Sequence, residues 1–310
     1  MLRSLLLLFA LWAGAACAAA AAEVVFPPGE RIGLVPPPGM TVSRTFAGFE
    51  DPEHKAAISL VELPLPAYER VEQSIFEQMP PGFIAEKREM LPFADGVGFL
   101  LVGRITVNDA VMHRWYLLGR AIAGRNTDFA AFVTVNVPDA ALNLYSDKMV
   151  RAALSSVTLR PPPIAEQLKL LPFKLTDYAG FHPMQAMPGG LIITDGATDD
   201  INQQPYMIIS VGPGNQPKPD DRVKIAQEML ASAPLADLIV TGTEAMRISN
   251  LPGFEIRASA KNIRGQPVKL VQWVRFGASG YMRIIGVVPA NDWDEYFNRF
   301  RAVRDGIELR

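Results

Sequence analysis

The chain has 310 residues, 30 of them basic and 32 acidic, for a formal net charge of −2. Neither half carries a basic excess, which excludes a nucleic-acid groove built on phosphate neutralisation. One cysteine, Cys17, and three scattered histidines, His54, His113 and His182, exclude a disulfide framework and provide no zinc-site spacing.

Met1–Ala22 has the composition of a secretion signal. Arg3 supplies the positive start, and Leu5–Trp12 an apolar core too short to span a bilayer comfortably. An alanine-rich run then suits a signal peptidase cutting before Glu23. The expected mature chain is periplasmic or secreted and, with no later apolar run, has no transmembrane segment. A lipoprotein beginning at Cys17 is the alternative; Gly14 stands where such a signal wants leucine.

A first domain is expected over residues 23–160. Val42–Phe49 and Ala57–Leu63 read as strands separated by a charged turn at Glu50–Lys55. Tyr68, Val71, Ile75 and Met79 recur at three- and four-residue spacing, predicting an amphipathic helix after Pro66 and before Pro80-Pro81-Gly82. Phe83–Phe93 is a further strand candidate. Pro161-Pro162-Pro163 opens a stiff linker over residues 161–171, with a short helix within Ile164–Leu171. A second domain, residues 172–310, shows strands at Leu191–Thr194 and Tyr206–Val211, the loop Gly212–Asp221, and a helix over residues 221–231 presenting Val223, Ala226 and Leu230.

The chain contains one unit twice, once at the end of each half, from Gly98 to Arg160 and from Gly253 to Arg310. Trp115 is set opposite Trp273, Pro138 opposite Pro289, and Arg160 opposite Arg310, with offsets of 158, 151 and 150. Each copy reads as three strands and a helix. Phe254, Ile256, Ala258 and Ala260 alternate with polar residues, the period of a half-buried strand. Asn108-Asp109 and Asn262–Gly265 are turn sequences, and Asp139 and Asn291 are candidate helix N-caps. Leu142, Tyr145, Met149 and Ala152 are expected to face inward, with Leu142, Met149 and Ala152 corresponding to Trp293, Phe300 and Val303. The fold class expected is α+β: two similar domains, each an antiparallel sheet with packed helices.

The element order carried by Ile58–Pro64, the helix at Tyr68–Met79 and the Trp115–Arg160 unit, with counterparts in the second half, resembles the PsbP/Mog1-like α/β/α sandwich. That resemblance implies assembly factors, binding modules or secreted bacterial proteins without a shared catalytic site, so it assigns no residues.

No catalytic, cofactor-binding or metal-binding residue is singled out. His113 alternates with Trp115 and Leu117 and reads as structural. Gly277–Gly280 lacks the G-x-S-x-G spacing of a nucleophile elbow and reads as a hairpin turn. Asp195, Asp199 and Asp200 form the densest carboxylate cluster, without EF-hand spacing, and read as a solvated turn. Gly212-Pro213-Gly214-Asn215 lacks the Lys-Ser/Thr of a phosphate loop. Trp115 and Trp273 read as core packing, with paired aromatic recognition sites as the alternative. No cofactor is expected. The function expected is a non-enzymatic binding or assembly-accessory protein, taking an envelope protein or a small apolar ligand at an inter-domain groove. The alternative is an envelope hydrolase whose carboxylates come together only on folding.

Overall fold

The computed structural model describes residues 23–74, 79, 81–121, 129–198 and 200–310. The expected signal segment, with Cys17, lies outside the described residues. The chain divides into two compact units, one of residues up to 27 and 32–159, the other of residues 28–31 and 160–310. Among the described residues no helix is long and apolar enough to cross a membrane.

The first unit runs β1 (Ile32–Gly33), β2 (Thr41–Val42), β3 (Gly48–Asp51), β4 (Ala56–Pro64), α1 (Leu65–Glu72), β5 (Phe83–Phe93), β6 (Gly96–Val107), β7 (Ala110–Ala121), β8 (Phe129–Pro138), α2 (Asp147–Ser155) and β9 (Thr158–Leu159). The second runs α3 (Ile164–Leu170), β10 (Phe173–Leu175), β11 (His182–Met187), β12 (Gly190–Thr194), β13 (Tyr206–Pro213), α4 (Arg222–Ala231), β14 (Ala236–Ile248), β15 (Leu251–Lys261), β16 (Pro267–Phe276), β17 (Gly280–Pro289), α5 (Trp293–Asp305) and β18 (Ile307–Leu309).

Each unit is built on a seven-stranded sheet, ordered β2-β3-β4-β8-β7-β6-β5 in the first and β11-β12-β13-β17-β16-β15-β14 in the second. The two orders are the same when strands are taken in sequence. A two-stranded ribbon, β1 with β9 or β10 with β18, completes each unit. The fold is therefore α+β with two similar halves.

The likeness extends to register. Pro64 faces Phe129 as Pro213 faces Gly280, and Pro138 faces Met112 as Pro289 faces Val268. Gly98 faces Gly119 as Gly253 faces Arg275. The ladder skips Glu86 between Ala85 and Lys87, and Thr241 between Val240 and Gly242, at the same place in the two edge strands. Such a bulge twists an edge and discourages further pairing.

The tryptophans depart from this register. Trp115 faces Val135 and Trp273 faces Ile284; counted from the matched prolines, Trp115 stands level with Val271, and Leu117 with Trp273. A two-residue displacement keeps both indoles on the same sheet face. Exchanging large and small side chains along the strand keeps the core filled, and all four residues are buried.

One face of the first sheet packs Trp115, Leu117 and Val133 against Val150, Ala153 and Leu154 around α2. In the second, Trp273, Val271 and Ile284 meet Phe300 and Val303 of α5. The opposite faces are covered by Val71 of α1, over Leu101 and Tyr116, and by Ala226 and Leu230 of α4, over Ile256 and Leu270. Tyr68 and Val71 lie on α1, Ile75 lies outside the described residues, and Met79 packs beside Tyr116.

Three local expectations are corrected. Val42–Phe49 is not one strand: β2 and β3 are separated by a bend in which the Ser43 hydroxyl accepts from Thr45 N at 3.1 Å. Neither Asp139 nor Asn291 caps a helix. Each sits in a 3-10 turn after its proline, and α2 is capped by Ser146, whose hydroxyl accepts from Met149 N at 3.4 Å. Ala152 is exposed, and the buried set Val150, Ala153 and Leu154 corresponds to Phe300, Val303 and Arg304. The first half has one more residue before its helix, so the inward positions slip by one after Tyr145.

Candidate functional site

Glu50 faces Ala57 as Thr194 faces Tyr206, so the next residues, Asp51 and Asp195, occupy equivalent positions, each receiving a tyrosine from the chain after the last strand of its seven-stranded sheet. Tyr145 donates to Asp51 Oδ2 at 2.6 Å, and Tyr296 donates to Asp195 Oδ2 at 2.5 Å. In the first unit Asp51 also accepts from the backbone of Glu53 and His54, and its Oδ2 lies 2.6 Å from His54 Nδ1. The Tyr145 hydroxyl, with His54, holds the Asp51 carboxyl at about 2. Burial and then Asp51 push the Tyr145 phenol up to about 12. In the second unit Arg299 binds Asp195 at 2.7 Å and is the main cause holding that carboxyl below the usual range.

Asp51 and His54 form an Asp-His pair, a combination that would favour an enzyme in a buried cleft, here placed in a turn at the end of β3. Both carboxylate oxygens are engaged in a tight turn, and none of the four cavities below is lined by either residue. The Asp195, Asp199 and Asp200 cluster is dispersed: Asp195 pairs with Arg299, Asp200 pairs with Arg264, and Asp199 lies outside the described residues. Asp195 is half-buried rather than solvated. Among the described residues no group of three or more His, Cys, Asp or Glu is placed to hold a metal ion.

The tryptophans are core residues with satisfied indoles, as a buried N–H requires. Trp115 Nε1 donates to Asp147 at 2.9 Å, and Arg151 donates to the same carboxylate at 2.6 Å. Trp273 Nε1 donates to the buried Glu255 at 2.8 Å, with Arg304 over the indole ring at 5.0 Å. His113 lies 3.0 Å from Asp139. Gly277 N donates to Gly280 O at 2.8 Å in the turn joining β16 to β17.

The halves differ most where β12 passes to β13. Pro52–Lys55 joins β3 to β4, whereas residues 196–204 fill the equivalent connection. The longer segment is organised by its own polar side chains. Gln204 Nε2 donates to Thr198 O at 2.6 Å, and Asp200 Oδ1 accepts from Asn202 N at 2.9 Å to start a 3-10 turn. Asn262, in the turn between β15 and β16, donates to Asn202 O at 3.0 Å and accepts from Arg264 N and Gln266 N, both at 3.0 Å. The two connections are thereby tied together.

Between them opens a cavity of about 430 Å³, within the range of small-molecule sites. Its walls carry Asn202, Gln203, Gln266 and Asn291, and its apolar floor includes Val268 and Val287. Tyr206, the first residue of β13, is only 7% exposed and lines this cavity. Burial pushes its phenol up to about 12, and its hydroxyl has no hydrogen-bond partner among the described residues. Ala57 takes the equivalent place in the first unit, paired to Asn136 as Tyr206 is to Val287.

The other cavities are less selective in make-up. One of about 740 Å³, between α1 and the β5–β6 edge, is walled by Glu69, Arg70, Glu72 and Arg88. Cavities of about 330 and 160 Å³ lie at the β16–β17 turn and beside α3.

Sequence reasoning located the polar turn after Thr194 and the Asn262–Gly265 turn but not their meeting. The amide run Asn202-Gln203-Gln204 was the available signal. Tyr206 had none, because a strand tyrosine usually packs in a core.

No protein-family model matches the chain, and no curated protein matches it in sequence. Among solved structures, the cyanobacterial PsbP of Synechocystis sp. PCC 6803 is similar at 12% identity over 45% of this chain and 87% of that one, with a TM-score of 0.32. The Ran-binding protein Mog1p of Saccharomyces cerevisiae is similar at 9% identity over 44% of this chain and 90% of its own, with a TM-score of 0.31. The type VI secretion immunity protein TplEi of Pseudomonas aeruginosa matches at 14% identity over 93% of this chain and 97% of its own, with a TM-score of 0.30. The chain thus bears a weak resemblance to PsbP- and Mog1-like proteins.

Proposed function

We propose that this chain is an exported, non-enzymatic binding protein that arose by duplication of one α+β unit, and that its second unit carries the ligand site. Export rests on the composition of Met1–Ala22. Duplication rests on shared strand order, shared register and the matched bulges. The observation that carries the binding reading is the cavity under the 196–204 connection, onto which the largely buried Tyr206 opens with a hydroxyl that has no protein partner among the described residues. A hydroxyl with no protein partner keeps its donor and acceptor capacity for a ligand.

The test is to incubate the full mature chain with a soluble cell-envelope extract, repurify it, and identify by mass spectrometry any small molecule released on denaturation. Backbone amide shifts are compared before and after incubation. The expected result is a chemically unchanged small molecule, with shift changes centred on residues 201–206 and 262–268. Conversion of the molecule, changes confined to the first unit, or no bound molecule contradicts the proposal.

A further inference from the structure

We infer that the cavity beneath the 196–204 connection takes an uncharged polyhydroxylated ligand, a sugar of one or two rings. This rests on the binding reading above and names the chemistry of that site.

The polar atoms left open at the cavity are neutral and of both kinds. Tyr206 offers a hydroxyl with no protein partner among the described residues. Asn262 donates to Gln266 Oε1 at 3.1 Å, which leaves the Gln266 amide N–H groups available. Gln203 Nε2 donates to Asp200 Oδ2 at 3.0 Å, which leaves its carbonyl oxygen available. Asn291 has no hydrogen-bond partner among the described residues, so both ends of its amide are open. Donors, acceptors and a hydroxyl interleaved in this way suit sugar hydroxyls, each of which both donates and accepts.

Other ligand classes fit less well. An anion calls for a free cation or a cluster of donors, yet Arg264, the one guanidinium among the described lining residues, is paired with Asp200. Among the described residues no carboxylate lines the cavity to receive a cation. A wholly apolar ligand would desolvate Tyr206 and the amides without replacing their water bonds. Val268, Val287 and Pro289 provide an apolar floor against which the C–H face of a sugar ring can rest.

The test titrates the full mature chain with glucose, galactose, N-acetylglucosamine and maltose by calorimetry and amide shifts, with gluconate and trialanine as charged and peptide controls. At least one sugar is expected to bind at millimolar or lower concentration and shift residues 201–206. Tyr206→Phe is expected to weaken that binding at least about tenfold, equivalent to about 1.4 kcal/mol, without lowering the melting temperature, because the hydroxyl it removes has no protein partner. Gln266→Ala, on an exposed turn, should weaken the same sugar as a second check. Absence of sugar binding, preference for gluconate or trialanine, or equal binding by Tyr206→Phe overturns the inference. If the extract yields a non-sugar ligand at these same amides, the binding reading stands and the sugar assignment falls.

Discussion

Asp51 and Asp195 show how one residue position serves two local designs. Each anchors the end of a strand to a tyrosine across the unit, but Asp51 adds a histidine and two backbone N–H groups, and Asp195 adds Arg299. Asp51 has a direct pH consequence. Its carboxyl lies at about 2 in the fold against an ordinary 3.8, so the folded state binds this proton less readily than the unfolded chain does. The stabilisation is complete above the ordinary value and is lost as pH falls through about 2. Asp51→Asn should therefore melt below wild type by a constant margin above about pH 5, and that margin should shrink between pH 4 and 2. Melting curves across this range decide the matter; a pH-independent margin would show that the ionised form contributes nothing special. None of this was legible in sequence. Asp51 stood in a charged turn, and Tyr145 was assigned only to the inner side of a helix.

At the scale of elements, the matched ladders make strict demands at Gly98 and Gly253. A Cβ at Gly98 would lie 2.7 Å from Leu118 O, and one at Gly253 would collide with Val274 O, the equivalent carbonyl on the next strand. Gly242, in the edge strand β14, has open space. Gly98→Ala and Gly253→Ala should each lose about 1–3 kcal/mol in denaturant unfolding, the usual cost of overpacking, whereas Gly242→Ala should be neutral or gain up to about 1 kcal/mol. Comparable costs at all three positions would contradict the shared register.

The sequence comparison found these glycines because each stands before a phenylalanine at the start of its copy of the repeated unit. It misplaced the tryptophans and the inward helix positions for a physical reason. A strand tolerates a two-residue exchange of large and small side chains on one face, and a helix entrance absorbs one extra residue, so the most conspicuous residues are not those that fix register. Strand β14 left little pattern, since most of its 13 residues are exposed. The turn at Asn108-Asp109 was legible because both residues adopt positive φ, 49° and 62°, as a tight hairpin turn demands.

At the scale of the whole molecule one scaffold occurs twice, and the proposed ligand site lies in the second unit, where a connection has lengthened. Asp195 stays anchored by Tyr296 and Arg299 whatever follows it, as Asp51 stays anchored ahead of its short turn. The connection beyond Asp195 is therefore separable from the fold, and replacing residues 196–204 with the Pro52–Lys55 sequence isolates the site from the scaffold. Calorimetric titration of that variant with the small molecule recovered from the extract, beside its melting curve, tests the central claim most directly. The account predicts a cooperative melt within a few degrees of wild type and complete loss of ligand binding. Retained binding would contradict the site, and failure of the second unit to fold would contradict the shared scaffold.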